Sequence, residues 1–279
     1  MADSILGIEG GGTKTVALLI TGNKIRRRQF GPLNLKLSTD RQILTVLRKF
    51  KPARAAICLA GCRTVTDRAR VRRLARRVWQ KVKVFAGNDL DSGLAAAFGT
   101  MQPGILVISG TGSVVVGRNT VGKMARAGGW GHWLGDHGSG HWVALTGLRN
   151  AIREYDRTGR LSPALRRLRC RLRFKSPEKL VDWIAGASKA DVARHADIFL
   201  RGNRGLALQA ASFLAMDCAA VAGKLKLTAP AIALAGGLLQ NHQAFRNAVA
   251  RRIRQTVPGA RVKVWRGETA LGALRLAGG

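Results

Sequence analysis

Apolar runs and amphipathic stretches alternate along the first hundred residues. Runs typical of strands cover residues 5–10, 15–21, 24–30, 55–59 and 82–86. Apolar positions at helical spacing predict helices over residues 39–50, 67–79 and 89–98, with Asp67 as N-cap of the second. Three strands followed by alternating helices and strands predict an α/β fold whose mixed sheet begins as a β-meander.

The same pattern restarts after residue 104. Strands are predicted over residues 105–109, 113–117, 121–125, 231–235 and 262–265. Helices are predicted through most of residues 139–227 and over 240–255 and 268–276. The chain therefore reads as two related halves, the second with a helical insertion. We place the domains at residues 1–115 and 116–266, with the last helix, 267–279, packing back on the first domain.

Composition fits a folded protein. The 279 residues are 46% apolar and 23% charged, which excludes disorder of the whole chain. No run approaches the roughly 20 apolar residues of a membrane helix, and the first residues lack the basic and apolar segments of a secretory signal. Four scattered cysteines do not make a disulfide scaffold. We therefore expect a cytoplasmic protein without a membrane partner.

The net charge of +33 is the unusual number. It indicates either a polyanionic partner such as nucleic acid or basic residues spread over solvated faces. The arginine-rich runs at 68–77 and 166–174 have apolar residues at helical spacing and few aromatic residues to stack on bases. We favour solvated outer helix faces, with only nonspecific binding to nucleic acid at low salt.

Two glycine-rich turns between apolar strands are the first candidate chemistry. One is EGGGTKT at 9–15 and the other SGTGS at 109–113. Successive glycines let backbone amides face an anion without a Cβ in the way, so both turns suit phosphate. A ligand-free hairpin is the alternative for one turn, but two at corresponding places in two halves favour a polyphosphate. A third glycine pair, Gly236 and Gly237, follows a strand and allows close approach of a nucleoside.

Acidic residues and a glycine-rich loop suggest a second substrate. Asp89 begins a helix directly after a strand, where a carboxylate can serve as general base towards a hydroxyl or simply as an N-cap. Asp91 then lies in the first helical turn. The segment GGWGHWLGDHGSG at 128–140 suits a loop around a small polar ligand, with indole against a sugar ring and Asp136 accepting hydroxyl protons.

These motifs, in this order, resemble the N-acetylglucosamine kinases of the BadF/BadG/BcrA/BcrD ATPase family, within the actin-like ATPase and sugar kinase superfamily. The resemblance spans nearly the whole chain, from EGGGTKT to GETALGALRLA. It implies two actin-like (ribonuclease H-like) domains with mixed sheets flanked by helices and a cleft between them. It also implies an ATP- and Mg²⁺-dependent kinase acting on the 6-hydroxyl of N-acetylglucosamine or glucosamine, with a homodimer expected.

The resemblance also implies roles for individual residues. Asp89 corresponds to the catalytic base, and Glu9 and Asp89 to groups that hold Mg²⁺ through water. The ATP-binding residues implied are Gly11, Gly12, Thr13, Lys14, Gly110, Thr111, Gly112, Gly236 and Gly237. The sugar-binding residues implied are Asn34, Ser113, Gly129, Trp130, Asp136 and His137.

One departure and two rival functions remain open. His137 stands where the family usually has an acid, which leaves the identity of the sugar open. The rivals are a non-catalytic regulator that binds nucleotide or nucleic acid on the same fold, and an ATPase of this group acting on another partner. Family members that activate dehydratases bridge a dimer with an iron–sulfur cluster, and Cys170 and Cys218 lack the spacing for that role.

Overall fold

A computed structural model describes Ser4–Gly278 and divides the chain into two compact units. Unit 1 is Met1–Gln102 together with Gly267–Gly279, and unit 2 is Pro103–Arg266. The boundary expected at residue 115 falls instead inside a strand, Ser113–Arg118, that is hydrogen-bonded to Gly104–Ser109. The repeat of the strand pattern from residue 105 marks the division better than residue 115 does.

The helices and strands follow the predicted order. The strands are β1 (Ser4–Gly10), β2 (Thr15–Thr21), β3 (Lys24–Phe30), β4 (Arg54–Leu59), β5 (Lys83–Gly87), β6 (Gly104–Ser109), β7 (Ser113–Arg118), β8 (Met124–Gly128), β9 (Ala231–Ala235) and β10 (Arg261–Val264). The helices are α1 (Asp40–Leu47), α2 (Val65–Arg76), α3 (Asp89–Phe98), α4 (Gly140–Thr158), α5 (Pro163–Leu172), α6 (Lys179–Gly186), α7 (Lys189–Ala193), α8 (Ala196–Leu200), α9 (Arg204–Leu225), α10 (Gly237–Asn241), α11 (Gln243–Thr256) and α12 (Ala270–Gly278).

Both units have the same sheet topology. Unit 1 has the strand order β3-β2-β1-β4-β5 and unit 2 the order β8-β7-β6-β9-β10. In each, the first three strands in sequence are antiparallel, and the other two run parallel to the first. The prediction of an α/β fold with mixed sheets in two related halves is therefore confirmed.

Both faces of the unit 1 sheet are covered, because apolar side chains along its strands point in turn to one face and then to the other. Leu6 and Ile8 of β1 pack into a core with residues of α1 and α2, whereas Val16 and Leu18 of β2 meet α12. Helix α12 lies very close to α3, since a Cβ on Gly272 would lie 1.8 Å from the backbone oxygen of Ser92. The last helix thus belongs to unit 1.

Helix α9 is the centre of the unit 2 core. By length and composition it could cross a membrane, which the sequence analysis did not anticipate. Its residues Ala210, Leu214, Cys218 and Val221 are fully buried in the unit 2 core. The buried face of α9 thus belongs to the unit 2 core, and this packing accounts for the apolar residues on that face.

Several local predictions need correction. The N-cap of α2 is Thr64, and Asp67 is the third helical residue, whose carboxylate accepts from the amides of Thr64 (2.9 Å) and Arg63 (3.0 Å). Strand β8 begins at Met124 rather than residue 121, because a turn closed by the Asn119 amide and the Lys123 carbonyl comes first. The helix predicted over 240–255 is two helices, α10 and α11, interrupted at His242.

Candidate active site

The parallel strands of unit 1 end together at one edge of the sheet, and predicted site residues gather there. Glu9 lies at the end of β1, and Asp89 follows the end of β5 by two residues. Asn34 reaches the same edge through a bridge to Ala60, whose amide in turn donates to the Gly10 carbonyl at 2.7 Å. The carboxyl ends of parallel strands are where α/β sheets bind ligands.

Asp89 is not the N-cap of α3. Asn88 fills that position, since its side-chain oxygen accepts from the Asp91 amide at 2.8 Å and the Asp91 carboxylate accepts from the Asn88 amide at 2.8 Å. The Asp89 carboxylate is therefore not needed for this capping box. Burial raises the pKa of Asp89 above its usual value, against the lowering effect of its own amide and the charge of Arg63. A raised pKa at a helix N-terminus suits a group that accepts a proton during a reaction.

Glu9 is the second perturbed carboxylate at this edge. Burial raises the pKa of Glu9 to about 7, and the negative charges of Asp89 and Glu268 raise it further, while a hydrogen bond from Thr269 and the charge of Lys14 oppose the rise. Glu268 is itself held by Arg27, whose guanidinium donates at 2.8 and 3.0 Å. A cation would stabilise the ionised form of Glu9, because burial and the neighbouring Asp89 carboxylate both raise the pKa of Glu9.

The first glycine-rich turn is exposed to solvent. Within the turn, the Gly11 amide donates a hydrogen bond to the Lys14 carbonyl at 2.9 Å. A Cβ on Gly12 would meet nothing within 4 Å, and Gly12, Thr13 and Lys14 are exposed. The turn presents a short exposed segment with an ammonium group, directly after Glu9.

The second turn lies at the corresponding edge of unit 2 and is enclosed by its neighbours. The Gly110 amide donates to the Gly112 carbonyl at 2.9 Å, and the Gly110 carbonyl accepts from the Gly140 amide at 2.7 Å. Gly236, at the end of the adjacent parallel strand β9, has a φ of +94°, and a Cβ there would lie 2.4 Å from the carbonyl oxygen of Ser109. Only glycine permits this approach. The structure thus brings together Gly110–Gly112 and Gly236–Gly237.

A cavity of about 480 Å³ opens beside these two turns. Gly110, Thr111 and Gly237 line one part of it. Arg171 and Asp197 line another part and are joined by two hydrogen bonds of 2.8 and 3.0 Å. Its volume is in the range of small-molecule sites. Arg171 belongs to the arginine-rich run at 166–174, so that run is not entirely a solvated face as expected.

A partly buried ion pair joins the glycine-rich loop after β8 to α7. Asp136 is 4% exposed, has a φ of +58°, and accepts a hydrogen bond from the ammonium of Lys189 on α7. A Cβ on Gly112 would lie 2.9 Å from both the Asp136 carboxylate and the Lys189 ammonium. The pair therefore links the loop to the second turn. Ser113, expected to touch sugar, donates its hydroxyl to the His137 carbonyl at 2.8 Å, which fastens the same loop.

The other predicted sugar-binding residues of this loop have different surroundings. Trp130 is 61% exposed, and the Arg126 guanidinium lies 4.6 Å from its ring centroid. Gly129 has a φ of +69°. The exposed His137 ring stacks on Phe213 of α9, with centroids 4.7 Å apart.

The sequence analysis missed four residues that lie near Glu9 in unit 1 or around the second turn and its cavity in unit 2. Thr269 falls within the GETALGALRLA segment used for the resemblance, but nothing in the pattern gave it a role. Lys189 and Asp197 lie on short helices of the insertion, and Arg171 lay in a run assigned to solvent. Their proximity depends on tertiary packing, which spacing along the chain does not show. Among Ser4–Gly278, no group of three or more His, Cys, Asp or Glu residues could hold a metal ion.

Comparison with known proteins extends over the whole chain. The model of the BadF/BadG/BcrA/BcrD ATPase family matches residues 6–277. A protein of Clostridium acetobutylicum named N-acetylmuramic acid/N-acetylglucosamine kinase is 28% identical, covering 98% of this chain and 97% of its own. A crystal structure from Chromobacterium violaceum, provisionally named an N-acetylglucosamine kinase, is 25% identical with a TM-score of 0.76 and 99% of both chains covered. A ROK hexokinase of Thermus thermophilus shares the fold at 15% identity, with a TM-score of 0.55 and 98% and 97% of the two chains covered.

Proposed function

We propose that this chain, which belongs to the BadF/BadG/BcrA/BcrD ATPase family, is an ATP-dependent kinase that phosphorylates an amino sugar in the cytoplasm. The substrate we propose is N-acetylglucosamine or glucosamine, and the acceptor is the 6-hydroxyl. The observation that carries the proposal is Asp89: a partly buried carboxylate with a raised pKa, at a helix N-terminus that Asn88 and Asp91 already cap. The names of the C. acetobutylicum and C. violaceum relatives support the substrate class.

In this proposal Asp89 binds the acceptor hydroxyl and takes its proton as the phosphoryl group arrives. Phosphoryl transfer depends mainly on positioning and on electrostatic stabilisation, so a well-placed base and fixed amides are sufficient protein contributions. In the same proposal Asn34, which lies at the same sheet edge, hydrogen-bonds the sugar. Gly11–Lys14, Gly110–Gly112 and Gly236–Gly237 are the segments proposed to bind ATP, with the cavity beside Gly110 and Gly237 taking the nucleoside.

The proposed metal ion is Mg²⁺, and the donor set of unit 1 fits it. Mg²⁺ prefers oxygen ligands, keeps several waters and is usually held by one or two carboxylates together with substrate phosphates. Glu9 and Asp89 are such carboxylates: both are buried where a negative charge is costly, and the charge of Asp89 also raises the pKa of Glu9. When bound, the ion would neutralise charge on the phosphates. The protein's own contribution is to hold both carboxylates at the end of parallel strands.

A coupled ADP-release assay tests the proposal. N-acetylglucosamine, glucosamine, N-acetylmuramic acid and glucose are compared as acceptors, with ATP hydrolysis in the absence of sugar as background. We expect release above background with N-acetylglucosamine or glucosamine, abolished by Asp89→Asn. If ATP binds but none of these sugars raises ADP release, the regulator or an ATPase with another partner is the better description.

A further inference from the structure

Unit 2 contains a second cavity that shares none of its lining residues with the one proposed for the nucleoside. It measures about 520 Å³ and lies between α11 and the strands β9 and β10. Leu234 and Val262 give it an apolar base. Four cationic side chains line its walls: Arg246, Arg251, Arg254 and Lys263. No carboxylate is among the described residues that line it.

The charge here is not neutralised by neighbours in sequence. Residues 218–267 include nine Lys and Arg but no Asp or Glu. Within Ser4–Gly278, the exposed side chains of Arg251, Arg254 and Lys263 make no ion pair or hydrogen bond. Arg246 is fixed in place, since its guanidinium donates to the carbonyls of Leu239 and Gln240 at 3.0 Å each. One anchored cation and three unpaired ones thus line a single concave space.

Concavity distinguishes this cluster from the basic face of α2. Arg72, Arg73 and Arg76 on α2 are also exposed and unpaired within the described residues, but they line none of the described cavities. Arginine forms paired hydrogen bonds with phosphate oxygens, and four cations around one small anion exceed what a single phosphate needs. The apolar base offers contact to a carbon skeleton, and the volume matches small-molecule sites.

We propose that this space, the α11–β10 pocket, binds a small organic anion that carries two or more phosphate groups. Nucleic acid fits less well, because none of the described residues that line the pocket is aromatic and could stack on a base. The proposal does not depend on the kinase activity, since no residue of the pocket belongs to the catalytic or nucleotide-binding segments proposed above.

Calorimetric titration at physiological salt tests the pocket, with fructose 1,6-bisphosphate as the probe. The pocket variant carries Arg251→Gln, Arg254→Gln and Lys263→Gln and retains the anchored Arg246. The matched control carries Arg72→Gln, Arg73→Gln and Arg76→Gln, which removes the same charge from α2. Because the pocket variant removes three of the four cations that would contact phosphate oxygens, we expect about tenfold or greater loss of affinity in the pocket variant and little loss in the control.

Hydrogen exchange locates the bound anion. We expect the bisphosphate to slow amide exchange in α11 and β10 of the wild-type protein and not of the pocket variant, while exchange elsewhere in unit 2 shows that the variant is folded. Equal loss of affinity in both variants would overturn the proposal in favour of a net-charge effect. Protection confined to other segments would also overturn it, as would pocket-dependent binding of duplex DNA that is tighter than that of the bisphosphate.

Discussion

The two glycine-rich turns occupy the same place in sheets of the same topology, yet their surroundings differ. The β1–β2 turn is exposed, with free space around Gly12. The β6–β7 turn is enclosed by the Asp136–Lys189 pair beside Gly112 and by Gly236 against Ser109. Gly12 of the first turn is therefore unconstrained by packing, whereas Gly112 of the second is confined by neighbouring side chains in the folded protein alone.

The acidic groups of the two units differ as well. In unit 1, burial raises the pKa values of Glu9 and Asp89, and the neighbouring carboxylate of Glu268 adds to the effect at Glu9. In unit 2, the buried carboxylate of Asp136 is paired with Lys189. From this difference we propose that unit 1 supplies the carboxylate that accepts a proton, whereas unit 2 supplies a rigid binding site for the substrates. The variants below test that division.

Asp89→Asn should have the largest effect. A general base typically contributes about 10²- to 10⁴-fold, so we expect a loss of kcat in that range with ATP binding retained. The melting temperature should stay the same or rise, because the variant removes a buried carboxylate whose ionised form is disfavoured. Steady-state kinetics and a thermal melt check both expectations.

Asp40→Asn is the matched control for this substitution. Asp40 is the first residue of α1, behind a capping box formed by Thr39 and Gln42, as Asp89 is the first residue of α3. Turnover by the Asp40→Asn protein should be close to wild type. If both variants lose activity alike, the loss reflects helix stability and not proton transfer.

Alanine substitutions compare the two turns directly. Gly112→Ala places a Cβ 2.9 Å from two charged side-chain ends, so Asp136 or Lys189 must move. We expect about tenfold weaker ATP binding and a lower melting temperature, since over-packing typically costs about 1–3 kcal/mol. Gly12→Ala should leave the melting temperature unchanged, because nothing lies within 4 Å of its Cβ. A melt in which the two variants behave alike would contradict the contrast between the turns.

Lys189→Met tests the ion pair that encloses the second turn. It leaves the carboxylate of Asp136 buried without its cation, which is destabilising. We expect a higher KM for the sugar with a smaller change in kcat, and a lower melting temperature. Lys179→Met is the control, because its partner Asp182 is largely exposed and surface pairs contribute about 0–1 kcal/mol. Equal melting temperatures for the two variants would show that the buried pair does not hold the loop.

Sequence patterns predicted the sheets well and the environment of the side chains poorly. The strands predicted over 15–21 and 24–30 match β2 and β3 residue for residue, because the signals that predict a strand lie within each run. The position of Lys189 against Gly112 depends on a contact between α7 and a turn some 80 residues earlier, and no local pattern encodes it. Likewise, Asp67 was predicted as a cap from residue type alone, whereas Thr64 three residues earlier completes the capping box.

Glu9 gives unit 1 a pH dependence of stability that Glu9→Gln should remove. Burial raises the pKa of Glu9 in the folded protein to about 7 from an ordinary value near 4.5. The neutral carboxyl is thus favoured by folding, and its contribution is fully present below pH 4.5 and lost as pH rises through 7. Without Mg²⁺, the melting temperature of the wild type should fall relative to Glu9→Gln between pH 5 and pH 8. If the melting temperatures of the two proteins changed equally with pH across this range, the raised pKa of Glu9 would be contradicted.

His137→Glu should have the smallest effect, confined to the sugar. The imidazole is exposed and stacks on Phe213, so the substitution removes little buried surface. Burial raises the pKa of Asp217, and the electrostatic effects of His137 and Lys224 oppose this rise. A glutamate in place of His137 would add a negative charge near Asp217. The repulsion would shift the glycine-rich loop at 128–140, which contains Asp136. We expect a change in KM for the sugar, or in sugar preference, with KM for ATP nearly constant.

Equal shifts in both constants would point to a general folding defect. The double variant His137→Glu with Asp217→Asn separates local repulsion from a general folding defect. It removes the repulsion, so KM for the sugar should return to the wild-type value only if that repulsion moved the loop.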